Sequence, residues 1–245
     1  MIAYGATDVG QKRIINQDSI YVSVTPVGKL PNLFIVADGM GGHKAGDVAS
    51  RTSVNLFVNF VETTHMSDPI NIIDEAIKGA NDEIFELSVN NEDYVGMGTT
   101  FVVATVIGNK VYIANVGDSR LYLINDDIIQ ITRDHSLVEE MVNLGELARN
   151  EARNHMKKNI ITRAVGVEET VVADIFQIDI EKGDKLLLCS DGLSNMVEDY
   201  DIKKIVSGSN GIEDAVTKLI NTANSNGGKD NISAVLVQPD LDEVM

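Results

Sequence analysis

Thiol chemistry is all but missing from this chain. Its one cysteine, Cys189, allows no internal disulfide, and its place in the apolar run Leu186-Leu187-Leu188-Cys189 predicts a small buried hydrophobe in a reducing compartment. Basic residues are scarce as well: 20 Lys and Arg against 37 Asp and Glu leave a formal net charge of −17. Nucleic acid and anionic membranes both need a basic footprint, so this balance excludes them as main partners. Long apolar runs are lacking too, since stretches such as Phe101 to Ile107 are far too short to span a bilayer. Met1-Ile2-Ala3-Tyr4-Gly5 has no basic start and meets polar residues at once, so the expectation is a cytoplasmic protein without membrane insertion. Repeats, low-complexity tracts and Pro- or Ser-rich linkers are also absent, and residues 1–245 are expected to form a single domain.

The residues that are present read as a mixture of hairpins and helices. From Phe101 the chain reads as an antiparallel meander: Phe101 to Ile107, a Gly108-Asn109 turn, Val111 to Val116, a Gly117-Asp118 turn, then Leu121 to Ile124. Val102, Val103, Ala104 and Val106 leave almost no polar face, which predicts a strand covered on both sides. Helical spacing aligns Ala45, Val48, Ala49, Thr52, Leu56 and Phe60. It does the same for Ile73, Ala76, Ile77, Ala80, Ile84 and Leu87, and for Ile212, Ala215, Val216, Leu219, Ile220 and Ala223. Helices interspersed with hairpins favour an α+β fold of packed antiparallel sheets flanked by helices over a doubly wound sheet. The charged stretch from Ser136 to Lys158 is either an exposed helical insertion or a flap beside a site.

Five short motifs set an aspartate beside glycine or a small polar residue: Asp8-Val-Gly with Arg13 and Asn16-Gln-Asp18; Asp38-Gly-Met-Gly-Gly-His43; Gly117-Asp118-Ser-Arg120; Ser190-Asp191-Gly192; and Lys229-Asp230-Asn231. Any one Asp-Gly pair more often marks a turn than a ligand. Five in one chain instead suggest convergence on a hard-cation site. Asp38 and Asp191 each follow an apolar, strand-like run; joined by Asp18 and Asp230 they would supply oxygen donors for two adjacent Mg²⁺ or Mn²⁺ ions. One cysteine and four scattered histidines give no zinc spacing. Bound cations would neutralise several acids, which makes an anionic phosphate substrate compatible with the net charge. Arg13 is either the guanidinium fork that grips phosphate or an ordinary surface salt bridge. Among histidines 43, 65, 135 and 155, only His43 lies inside one of these five motifs.

Taken in order, the motifs resemble those of the metal-dependent Ser/Thr protein phosphatases of the type 2C family, in their compact bacterial form. The match spans nearly the whole chain and adds Gly98-Thr-Thr100, Ala114-Asn-Val-Gly-Asp-Ser-Arg120, Thr132-Arg-Asp-His-Ser136 and Ile161-Thr-Arg-Ala-Val-Gly166. The resemblance implies a four-layer αββα sandwich with two or three Mn²⁺ or Mg²⁺ ions at one end. Carried over by position, Asp38 would bridge two ions, Gly39 would offer its carbonyl, and Asp18, Asp191 and Asp230 would complete the shells. Asp118 would hold a third ion, shared with Asp191, next to a flap at 136–160. Arg13 would hold phosphate while a metal-activated water attacks phosphoserine or phosphothreonine. The residue after Asp38-Gly39 is Met40, where many relatives outside bacteria carry histidine, so the general acid stays open between His43 and a water. Phosphorylated proteins, a cognate Ser/Thr kinase and a monomeric state are the implied partnerships. The competing readings are a phosphoprotein-binding regulator without catalysis and a phosphatase of small phosphate esters.

Overall fold

The computed structural model describes residues 1–41 and 45–241. Among the described residues eleven strands form two antiparallel sheets. In the first, β1 (Ile2–Asp8), β11 (Ile232–Gln238), β10 (Lys185–Cys189), β7 (Arg120–Ile124) and β8 (Ile128–Gln130) lie in that order. In the second the order is β2 (Asp18–Ser23), β3 (Leu33–Met40), β5 (Phe101–Ile107), β6 (Lys110–Val116) and β9 (Asp174–Asp179), with the two-residue β4 (Gly98–Thr99) paired to the end of β3. Helices α1 (Ala45–Thr63) and α2 (Pro69–Asn90) cover the second sheet. The first is covered by α5 (Asp191–Ser194), α6 (Asp199–Ser207) and α7 (Ile212–Ser225). This is the expected αββα sandwich.

Three apolar layers hold it together, and strand alternation assigns each residue to its layer. Phe34, Val36, Val102, Ala104, Leu186, Leu188 and Val235 meet between the sheets. Their neighbours Ile35, Phe101 and Val103 point the other way, onto Phe57, Ile73 and Ile77 of the helices. Both faces of β5 are therefore buried, as its unbroken apolar run requires. Leu187, Cys189, Ala234 and Leu236 pack similarly against Val216 and Leu219 of α7.

Local chemistry fixes the ends of these elements. Asp68 caps α2 by accepting from the Asn71 N–H, with Pro69 opening the first turn. Gly108, at φ +63°, closes the β5–β6 hairpin.

Two sequence expectations change. The meander ends at Val116: β7 pairs with β10 and β8, not with β6, so Gly117-Asp118-Ser119 carries the chain from one sheet to the other. Gly117 sits at φ +102°, and a side chain there would press within 2.6 Å of Thr100. Only a residue without Cβ makes this crossing. The buried stripe of α1 is also rotated from the apolar one, since Ser50, Ser53, Val54, Phe57 and Val61 are buried while Val48, Thr52, Leu56 and Phe60 are only partly so. The helix approaches closely through small residues, and the Ser50 hydroxyl donates to the Gln17 carbonyl at 2.6 Å. Leu87, at the far end of α2, lies outside the buried set. Between Ser136 and Ile161, which form an isolated bridge, the chain leaves the sandwich as the short helices α3 (Leu137–Asn143) and α4 (Arg149–Ala152).

Candidate metal centre

Strand pairing brings the acidic motifs to one end of the sandwich. Asp18 opens β2 and Asp38 lies near the end of β3, directly opposite each other in the antiparallel register. Side chains so placed are about 5 Å apart at Cβ, a repulsive arrangement for two like charges. The partner sheet delivers Asp191 just after β10 and Asp230 just before β11. Asp118 arrives on the crossing turn between the sheets. Arg13, Asp38, Gly39, Asp118, Asp191 and Asp230 line one pocket of about 310 Å³, with Asn159 and Ile161 contributed from the end of the exposed excursion.

Neighbouring polar groups fix Asp18 and the backbone of Asp38 from behind. Thr100 accepts from the Asp38 N–H through its hydroxyl at 2.9 Å, and its own N–H and the Thr99 hydroxyl donate to the Asp38 carbonyl. The Gly98-Thr-Thr motif thus fixes the backbone that aims Asp38. Asp18 accepts the hydroxyls of Ser190 and Ser233 on one oxygen, at 2.8 and 2.7 Å, which ties the two sheets together. Ser190 occupies the N-cap position of α5 yet makes no capping bond. Its hydroxyl is committed to Asp18 instead. Asn231 uses both amide hydrogens on the carbonyls of Val9 and Ile15 while its oxygen accepts from the Gln17 N–H, so the Lys229-Asp-Asn motif clamps the loop that carries Arg13. Gly39 sits in the tight space beside α1, where a Cβ would come within 2.0 Å of the Gly46 carbonyl oxygen.

Burial, then the neighbouring aspartates, push these acids up. Desolvation lifts the Asp18 carboxyl to about 7, against the two serine hydrogen bonds, and the charges of Asp191 and Asp230 add to it. Asp191 is raised to about 6 by burial and by Asp230. Asp38 and Asp118 are raised well above the ordinary carboxylate range by burial first and by their acidic neighbours second. Among the described residues no three such side chains are gathered tightly enough to hold an ion as they stand. The Arg13–Asp230 ion pair, at 2.7 Å, occupies an oxygen that a cation would otherwise take.

The donor set fits hard divalent cations on a direct observation: Asp18 Oδ1 is buried and has no hydrogen-bond partner. A buried carboxylate oxygen without a donor is costly, and a cation would satisfy it while relieving the repulsion that lifts all four buried acids. Oxygen-only donors suit Mn²⁺ or Mg²⁺ rather than zinc.

Asp8 does not join the cluster. It accepts from the Gly10 N–H and the Asn224 amide and so shapes the turn after β1. His43 lies outside the described residues. His135 has a part that the sequence did not reveal. Its Nδ1 accepts from the Gly117 N–H at 3.0 Å while its own N–H donates to the Gly117 carbonyl at 2.9 Å, a two-sided grip on the turn carrying Asp118. An accepting Nδ1 marks a neutral ring, whose Nε2 lies 2.9 Å from Arg163 Nη1 and 3.3 Å from Asp174. Burial lowers the His135 pKa, consistent with this neutral form. Asp174, in turn paired with Arg163 at 2.7 Å, carries no sequence signal at all.

Residues 9–237 match the family model described as Protein phosphatase 2C. The chain belongs to the protein phosphatase 2C family. The serine/threonine phosphatase stp of Listeria monocytogenes serotype 4b (strain F2365) is 42% identical over 240 residues, covering 96% of this chain and 94% of that protein. The crystal structure of the serine/threonine phosphatase Stp1 from Staphylococcus aureus superposes with a TM-score of 0.91 at 38% identity, covering 97% of this chain and 94% of that one. A catalytic domain of the serine threonine protein phosphatase PstP, solved in complex with 2 manganese ions, aligns with a TM-score of 0.84 at 32% identity over 96% of each chain. Among the described residues no helix is long and apolar enough to cross a membrane.

Proposed function

We propose that the buried carboxylate cluster is the catalytic centre with which this metal-dependent protein phosphatase hydrolyses phosphoserine and phosphothreonine in proteins. The observation that carries this reading is the unpartnered, buried Asp18 Oδ1 within a group of mutually repelling acids. Asp18, Asp38, Asp191 and Asp230, with the Gly39 carbonyl, would hold two Mn²⁺ or Mg²⁺ ions, and Asp118 with Asp191 a third. Such ions would neutralise the acids and supply a water made nucleophilic at neutral pH.

The chain's own residues do the rest. Asp38, opposite Asp18 in the strand register, would be the carboxylate the two ions share. The Arg13 guanidinium at the pocket lip offers a planar fork to the phosphate oxygens and stabilises charge as it spreads over them. Residues 136–160 form a flap whose end lines the pocket through Asn159. The substrates are phosphorylated proteins, set against a Ser/Thr kinase of the same cell, and the enzyme acts as a cytoplasmic monomer.

The test is dephosphorylation of a phosphothreonine peptide by metal-stripped protein, with Mn²⁺, Mg²⁺ or nothing added back, beside Asp38→Asn. Activity restored by metal in the native chain and absent from the variant supports the centre. A folded, metal-bound native protein that leaves the peptide untouched would overturn it in favour of a binding domain.

A further inference from the structure

Beside the catalytic pocket a second cavity of about 530 Å³ opens between the flap and α5–α6, and Asp118 and Asp191 line both. Four cations reach into it, and three are already matched. Arg120 pairs with Asp134 at 2.7 Å, Arg149 with Glu139 at 2.6 Å and Arg153 with Glu198 at 2.7 Å. The fourth is Lys158, and among the described residues no carboxylate stands in ion-pair contact with it. Its ammonium donates instead to the Asn195 amide oxygen at 3.2 Å, while the amide nitrogen of Asn195 donates to Asp191 Oδ2 at 2.9 Å. Asn195 therefore holds a free cation two hydrogen bonds from one of the acids of the candidate centre. Partial burial lowers the Lys158 pKa, and Arg153, Lys229 and Arg120 push it further the same way, more than Asp191 offsets. Lys158 is thus the one cation lining the cavity without a carboxylate partner among the described residues, on a chain of net charge −17.

We propose that Lys158 is a substrate-reading residue: it binds an acidic side chain of the phosphoprotein, two positions from the phosphorylated residue, in the cavity under the flap. This rests on the catalytic reading above, because the phosphorylated residue must occupy the neighbouring pocket. The spacing argument is geometric. A peptide extended across both cavities turns alternate side chains to the same side, and residues two apart are separated by about 7 Å. That matches a reach of two hydrogen bonds joined through one amide. The charge argument is complementary: elsewhere the protein's acidic surface repels an acidic flank, and Lys158 gives it a defined place.

The test uses phosphothreonine peptides with Glu, Ala or Lys two residues before or after the phosphothreonine, with Mn²⁺-loaded native protein, Lys158→Met and Lys158→Arg. Selectivity is read as the ratio of kcat/KM for the Glu peptide to that for the Lys peptide within each protein, so a change in overall rate cancels. The native protein should favour Glu at one of the two positions by about threefold to fivefold, the range of a partly exposed ion pair, and 1 M salt should weaken this. Lys158→Met should bring the ratio close to one and Lys158→Arg should keep it. A native ratio near one at both positions, or a preference that survives Lys158→Met, overturns the inference while leaving the phosphatase reading intact. Failure of the native protein to hydrolyse any of the peptides overturns both.

Discussion

Arg13 Nη2 lies 2.7 Å from Asp230 Oδ2, so the arginine proposed to grip phosphate is tied to an acid proposed to hold metal. Both readings of Arg13, phosphate ligand and salt-bridge partner, thus describe one side chain with two anionic claims upon it. The pair is substantially exposed and contributes little to stability, roughly 0–1 kcal/mol. Arg13→Ala should therefore leave the thermal midpoint nearly unchanged while raising KM for a phosphopeptide about tenfold, the loss expected for a charge-assisted hydrogen bond of ~1.5 kcal/mol. Steady-state kinetics beside a melting curve decide it. Unaltered KM and kcat would return Arg13 to the status of a surface residue.

Asp38 faces Asp18 across the strand pair, and burial and then the charges of Asp18 and Asp191 hold its carboxyl well above the ordinary range. Asp38→Asn removes a charge from the crowd without changing shape. Turnover should fall by at least a hundredfold while the metal-free variant melts no lower than the native protein. The Mn²⁺-induced rise in melting temperature should shrink as well. Full activity in the variant would rule out a bridging role.

The raised acids also set a pH dependence for the metal-free protein. Asp18 and Asp191 titrate near 7 and 6 when folded, against an ordinary value of 3.8. Between these limits the folded chain keeps protons that the unfolded chain has released. Stability from this source is complete below about pH 4 and is lost as pH rises through 6 and 7. The melting temperature in chelator should accordingly fall between pH 5 and pH 8, and saturating Mn²⁺ should remove most of the slope. A metal-free melting temperature that is flat or rising over that range contradicts the repulsive cluster.

His135 acts on Gly117 through Nδ1, the ring atom that an asparagine side chain can replace. His135→Leu leaves the buried Gly117 N–H without an acceptor, at a cost of about 1–3 kcal/mol, and loosens the turn bearing Asp118. His135→Asn should recover a large part of that stability and of the Mn²⁺ dependence of activity. Equal damage by both substitutions would mean that packing, rather than the Nδ1 contact, is what the ring supplies.

Much of this protein was legible in its residues because the relevant signals are local. Alternation and helical spacing located β5, β6, α2 and α7, and small turn residues beside Asp38, Asp118, Asp191 and Asp230 marked the acids that converge. The departures are equally specific. The run Leu121 to Ile124 reads as the third strand of a meander, yet its sheet is chosen by the positive φ of Gly117 and by apolar surface on β10 far along the chain. Ser50 and Ser53 look like the polar side of α1, but a close approach to the strands buries them.

What the sequence by itself determined is the inventory: which carboxylates exist, which turns they sit on, and that oxygen ligands rather than sulfur or imidazole are on offer. Tertiary structure alone decided their state. Only when two sheets stack do Ser190 and Ser233 reach Asp18, and only then does Arg13 meet Asp230, 217 residues away. Desolvation and like-charge repulsion depend on distance through space, so no pattern along the chain could have told how far these acids would be lifted or that Asp18 Oδ1 would lack a partner.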